Sequence, residues 1–294
     1  RWRRWLPSSK ANWWGEERLV MALEAFFLSA SPGQRFVLLH GPDEPSRLRG
    51  AVVYVHPFAE ELNKSRRMAA LQARAMAAAD FAVLQIDLLG CGDSSGDFGD
   101  ATWEAWLADI EFACDWLVRR RPGTPLWLWG QRTGCLLANE AANRMKRPVN
   151  LLFWQPVLSG KQFLQQFLRL RLAAEMLGSD SKGVMERLRN ELRQGDSVEI
   201  AGYLLSPALA SGLEKAELLL PHRSGRVEWI EISSKTDGSL SPAAAARLTQ
   251  WQAAGQSARG ASVNGPAFWQ TAEISECPAL IEASMLAIAG ADST

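Results

Sequence analysis

The chain has 294 residues, 47% of them hydrophobic and 22% charged, a balance that fits one large globular unit and excludes a disordered or fibrous chain. Thirty-two basic residues offset thirty-two acidic ones, which argues against a nucleic-acid partner, since such proteins carry a basic excess. Four cysteines, Cys91, Cys114, Cys135 and Cys277, form no C-x-x-C pair, which argues against a zinc site and for reduced thiols in a cytoplasmic protein.

Residues 1–20 (RWRRWLPSSKANWWGEERLV) carry positive charge but lack the apolar stretch of a signal peptide. They read as an N-terminal extension without fixed structure, ahead of a start at Met21, with Arg and Trp suited to touching a membrane surface. No run of apolar residues is long enough to span a bilayer. Ala25–Leu28 and Phe36–His40 read as opening strands. Ala51–His56 (AVVYVH) is continuously apolar, as a strand covered on both faces must be. Lys64–Ala79 is predicted helical, and Ala82–Asp87 is the next strand, followed by the loop LLGCGDSSGDFGD. Thr102–Arg120 places Trp103, Trp106, Ile110, Cys114 and Leu117 at helical spacing. Pro125–Trp129, Thr133–Met145 and Val149–Trp154 then read as strand, helix and strand. This alternation predicts a parallel sheet with right-handed crossovers and a site at the carboxyl ends of the strands, after His56, Asp87 and Trp129.

Residues 159–221 break the rhythm. Lys161–Leu177 is a strongly amphipathic helix, Lys182–Arg193 a second, and SVEIAGYLLS a short strand pair. Such an insertion would cap the carboxyl edge of the sheet, with the first helix offering an acyl-binding face or a partner surface. The rhythm resumes with strand Val227–Ser233, helix Ser241–Ala254 with proline in its first turn, strand Arg259–Val263 and helix Pro278–Ala289. GCGDSSG does not follow the phosphate-cradling pattern and no G-x-G-x-x-G occurs, so neither a nucleotide cofactor nor a metal is expected.

Three stretches, HPFAEELNKSRR (56–67), DLLGCGDSSGDF (87–98) and LWGQRTGCLLA (128–138), carry a resemblance to the α/β-hydrolase superfamily. Together with WQPVLSGKQFLQQFLRLRLAAEML (154–177), AGYLLSPALASGL (201–213) and GPAFWQTAEI (265–274), the chain resembles more narrowly the exosortase A system-associated hydrolases of type 2. The resemblance implies an α/β-hydrolase fold: a mostly parallel eight-stranded sheet flanked by helices, with core residues 21–158 and 222–294 and a helical cap at 159–221. It also implies a bacterial setting of exopolysaccharide production and C-terminal protein sorting, without a defined substrate. It places the oxyanion donors on the backbone N–H groups of Phe58 and Thr133.

In such folds a strand-to-helix turn reading G-x-S-x-G exposes the nucleophilic serine. Here it reads Gly130-Gln131-Arg132-Thr133-Gly134, with Arg132 in the nucleophile position. A guanidinium, protonated at any pH a protein meets, neither attacks a carbonyl nor accepts a proton. It also stands at a helix N-terminus, which carries roughly half a positive charge. Arg132 is therefore expected to face an internal carboxylate or an anionic ligand, or to act as an electrophilic stabiliser. The segment after the last strand, Asn264-Gly265-Pro266-Ala267-Phe268-Trp269, has no histidine. Asp237 stands near the acid position and reads either as turn chemistry or as a partner for Arg132. His56 is a possible base with Glu60 or Glu61 as orienter, or else it holds its own loop by hydrogen bonds. His222 reads as a surface loop residue. Cys91 and Cys135 are conceivable surrogate nucleophiles, with Cys135 expected to pack inward, while Ser94, Ser95 and Thr133 read as loop caps. Two functions follow: an ester, thioester or amide hydrolase of unusual mechanism, or an inactive member that binds an anionic small-molecule, acyl or glycan ligand, or a protein partner of the exosortase and exopolysaccharide system.

Overall fold

Two antiparallel strands, β1 (Met21–Ser29) and β2 (Gln34–Pro42), open the chain. The structure, a computed structural model, describes residues 21–42, 48–175, 181–222, 224–233 and 238–290. Next come β3 (Gly50–Val55), β4 (Phe81–Ile86) and β5 (Leu126–Gln131), each with six consecutive buried residues. That pattern requires helices over both faces of the sheet. With β6 (Val149–Trp154), β9 (Ser224–Ser233) and β10 (Ser257–Asn264) they form one eight-stranded sheet in the order β1-β2-β4-β3-β5-β6-β9-β10. All pairs from β4 through β10 are parallel, and β2 joins β4 antiparallel.

Helix α1 (Glu60–Ala78) and helix α8 (Pro278–Ala289) pack on one face of the sheet; α2 (Trp103–Arg120), α3 (Gly134–Arg144) and α7 (Pro242–Ala253) pack on the other. Helix α1 begins four residues earlier than its apolar pattern predicts. Glu60 and Glu61 form its acidic first turn, which the helix dipole favours, so both carboxylates sit on a rigid helix rather than in a loop. Between β6 and β9 run α4 (Gly160–Glu175), α5 (Ser181–Gln194), the hairpin β7–β8 (Val198–Ile200 and Tyr203–Leu205) and α6 (Pro207–Lys215). Helix α6 is absent from the sequence expectation, although its start is signalled: Ser206 Oγ accepts from Leu209 N and Pro207 occupies the first turn.

Two opposite charges lie deep beneath α2. Arg35, fully buried, donates from Nε to Asp109 Oδ2 at 2.7 Å, and the same oxygen accepts Leu89 N at 2.8 Å. This pair ties β2, α2 and the loop after β4 into one block. In that loop Ser94 Oγ donates to Asp87 O and accepts Phe36 N, and Ser95 Oγ accepts Gln34 N. Both serines are thus loop caps, as expected. Among the described residues no helix is long and apolar enough to cross a membrane.

Candidate functional site

The turn between β5 and α3 is built by close backbone approach. A Cβ on Gly134 would lie 2.6 Å from the His56 carbonyl oxygen and nearer still to that of Val55; one on Gly130 would lie 2.7 Å from Cys135 Cα. Only glycine lets β3, β5 and α3 meet this tightly. At the tip Arg132 has φ 54°, in the left-handed region that a side chain normally avoids. Its N–H donates to Trp154 O at 2.9 Å, which anchors the turn to the end of β6. Two further non-glycine residues with positive φ flank the same spot: Ala59 (52°), just before α1, and Gln155 (45°), just after β6. Strained backbone gathers in this way at functional sites.

The Arg132 side chain is clasped from three sides. Its Nε lies 3.3 Å from both oxygens of Glu61, and Nη2 lies 3.3 Å from Glu61 Oε1. Its guanidinium carbon sits 5.2 Å from the ring centroid of Trp269, a cation–π contact. Nη1 approaches Gln155 O at 3.5 Å. Trp269 belongs to the segment after β10. That segment is moored to α1: Lys64 Nζ donates to Thr271 O at 2.6 Å, and Arg67 pairs with Glu276.

The phase of α1 aims Glu61 at Arg132. Glu61 and Ser65 lie one helical turn apart on the same face. Tyr54 Oη donates to Gln131 Oε1, and Gln131 Nε2 donates to Ser65 Oγ, both at 2.8 Å and all buried. Consecutive residues of the turn, Gln131 and Arg132, thereby grip successive turns of α1. Burial raises the Glu61 carboxyl above its ordinary range, and this effect outweighs the pull of Arg132 in the other direction.

The surroundings of the candidate bases and surrogate nucleophiles are as follows. His56 is buried; its Nδ1 is 2.8 Å from Pro57 O, and its Nε2 is 3.4 Å from the Leu88 N–H. Both ring nitrogens thus contact backbone of the surrounding loops. Neither Glu60 nor Glu61 orients it. Glu60 Oε2 instead accepts from Asn63 and from Tyr203 Oη, both at 3.1 Å. Cys91 is buried, and desolvation pushes its thiol well above the ordinary range, the opposite of an activated nucleophile. Cys135 packs inward, with Sγ 3.7 Å from Trp154 O. His40 contacts Gln85 Oε1 at 3.2 Å, and the N–H of His222 donates to Asn143. Asp237 lies outside the described residues; among the described residues the carboxylate brought to Arg132 is that of Glu61.

The segment that carries Phe58 is firmly packed. Phe58 is ringed by Phe98, Trp106, Phe163 and Phe167, with centroids 5.1–5.7 Å away, the last two reaching it from α4. Thr133 is buried and its side chain does not cap α3. The N–H groups of Phe58 and Thr133 donate to no described protein group. Glu61, Trp269, Gln131 and Gln155 complete the site. Of these, sequence reasoning weighed only Glu61, and in another role; its legible signal was an acid pair opening a helix.

Burial also holds His56 below its ordinary range. The unfolded chain takes up a proton near pH 6.5, whereas folded His56 resists it, so between its folded pKa and about 6.5 the unfolded state binds more protons. The His56 contribution to stability is complete above pH 6.5 and is lost as pH falls through the folded value. Urea midpoints measured from pH 7.5 down to 5.5 are expected to fall less steeply in His56→Gln than in the unaltered protein. Equal slopes would refute a neutral buried His56.

A family model described as serine aminopeptidase, S33, matches residues 46–209, more than half of the chain. Among solved structures, Est1E from Butyrivibrio proteoclasticus, described with ferulic acid bound, is 17% identical with a TM-score of 0.61, covering 88% of this chain and 96% of that one. A highly thermostable carboxyl esterase from Bacillus coagulans, in complex with glycerol, is 16% identical with a TM-score of 0.56, covering 83% and 91%. An α/β serine hydrolase without lid from Xanthomonas campestris is 15% identical with a TM-score of 0.52, covering 90% and 92%. At such identities the likeness is one of fold. No curated protein sequence matches.

Proposed function

The chain belongs to the serine aminopeptidase S33 family, and from that premise we propose that it is a ligand-binding member that performs no serine-type acyl transfer. One observation carries the reading: the strained tip of the nucleophile turn holds a guanidinium clasped by Glu61 and stacked on Trp269. Acyl transfer needs a nucleophile and a base that can take its proton. Arg132 is neither, and His56, at the end of the neighbouring strand, has both nitrogens engaged. What the turn retains is positive: two backbone N–H donors, a helix N-terminus and a fixed cation, the components of an anion-binding nest. Est1E is described with ferulic acid bound, which supports a small organic ligand for this scaffold.

The resemblance to exosortase A system-associated hydrolases supports the finer setting. In it, the ligand is an anionic acyl or glycan compound, or a protein component, of bacterial exopolysaccharide and protein-sorting machinery, met in the cytoplasm beneath the cap of residues 159–221.

The test is direct. Purified protein incubated with a fluorophosphonate probe, an iodoacetamide probe and a panel of nitrophenyl esters is expected to show neither labelling at the turn nor a kinetic burst. A burst abolished by Cys91→Ala or His56→Ala would overturn the reading and restore a hydrolase of unusual mechanism.

A further inference from the structure

Resting on that binding reading, we propose that the group recognised at the turn is a carboxylate, and that Glu61 is an internal stand-in which the ligand displaces. The first support is an excess of donors. The Arg132 guanidinium and the N-termini of α1 and α3 converge here, each helix end adding roughly half a positive charge. Among the described residues the Phe58 and Thr133 N–H groups have no protein acceptor, and the indole Nε1 of Trp269, whose ring the guanidinium overlies, is buried without one. Against these, among the described residues, stands the side-chain carboxylate of Glu61, since Glu60 is turned away toward Asn63 and Tyr203.

The second support is the looseness of the clasp. Charge-assisted N–H···O⁻ bonds close to about 2.7–2.9 Å, and paired forks are their strongest form. All three Arg132–Glu61 contacts stay at 3.3 Å. Elsewhere in the chain, by contrast, Arg144 grips Glu104 through a true fork at 2.6 and 2.8 Å. The third support is access. The side chains of Arg132 and Glu61 keep 14% and 15% of their surface exposed, so a ligand can reach the guanidinium and Glu61 can turn outward without unfolding α1. Trp269 then keeps the guanidinium plane in place for the incoming group. A planar carboxylate matches both the guanidinium fork and the group it replaces in shape and charge.

The test is chemical rescue. Thermal midpoints of Glu61→Ala are measured against formate, acetate and butyrate, with chloride and phosphate at matched ionic strength. The variant is expected to unfold several degrees early and to recover saturably with the carboxylates. The unaltered protein should need at least tenfold more carboxylate for the same shift, because Glu61 competes, and Glu61→Ala combined with Arg132→Ala should not respond. If Glu61→Ala does not fold, Glu61→Gln, which keeps the shape without the charge, takes its place with the same expectation. No saturable response, or an equal response to phosphate or chloride, overturns the proposal. Ester turnover with intact rescue would remove the binding-only reading and leave this one standing; silence toward esters with no rescue would do the reverse.

Discussion

Replacing Arg35 with methionine is expected to destabilise the protein by about 3–5 kcal/mol, the range for removing one partner of a buried ion pair. The Asp109 carboxylate, 4% exposed, would keep the Leu89 N–H but lose the guanidinium at 2.7 Å. Urea unfolding should show a lower midpoint with an unchanged slope, the signature of lost stability rather than an altered denatured state. The double change Arg35→Met with Asp109→Leu should recover much of the loss, because a buried pair exchanged for apolar groups of similar volume is often neutral. A single-variant loss below about 1 kcal/mol, the level of a surface pair, would show that water reaches Asp109.

Gly134→Ala is expected to cost at least the upper part of the roughly 1–3 kcal/mol typical of overpacking. The added methyl would meet the Val55 and His56 carbonyl oxygens, which are fixed backbone at the end of β3 and cannot swing aside. Relief requires α3 to move away from β3, carrying the Thr133 N–H and Arg132 with it. The thermal midpoint should therefore drop, and the carboxylate response described above should weaken in the same variant. Gly41→Ala is the control: a Cβ there meets nothing within 4 Å, and its midpoint should stay near that of the unaltered protein. Equal behaviour of the two variants would mean that close backbone approach at the turn is not what demands glycine.

Much of the scaffold was legible because the parallel strands are written as uninterrupted apolar runs. AVVYV, AVLQI and LWLWG each became a central strand within a residue or two of the expected limits. Helix α6 was missed because nine residues give too short a period to stand out, although Ser206 and Pro207 marked its start. The beginning of α1 was placed late because Glu60 and Glu61 interrupt an alanine-rich pattern. That shift mattered, since it moved the two carboxylates from a loop onto a rigid helix, from which Glu61 meets Arg132 and Glu60 meets Asn63 and Tyr203.

The sequence by itself determined that this chain carries a permanent positive charge at the turn between β5 and α3 and no histidine after β10, since residue identity settles both. It also required that the charge be answered, because a helix N-terminus repels a cation. Which group answers was decided only in three dimensions. Glu61 and Arg132 are 71 residues apart, and they meet because β3 lies beside β5 and the Gln131–Ser65 bond sets the rotation of α1. Trp269 arrives from a third segment, moored through Lys64. Local pattern fixes the period of each element but not the phase in which separate elements face one another, and that phase chose Glu61 over Glu60 as the partner of the guanidinium.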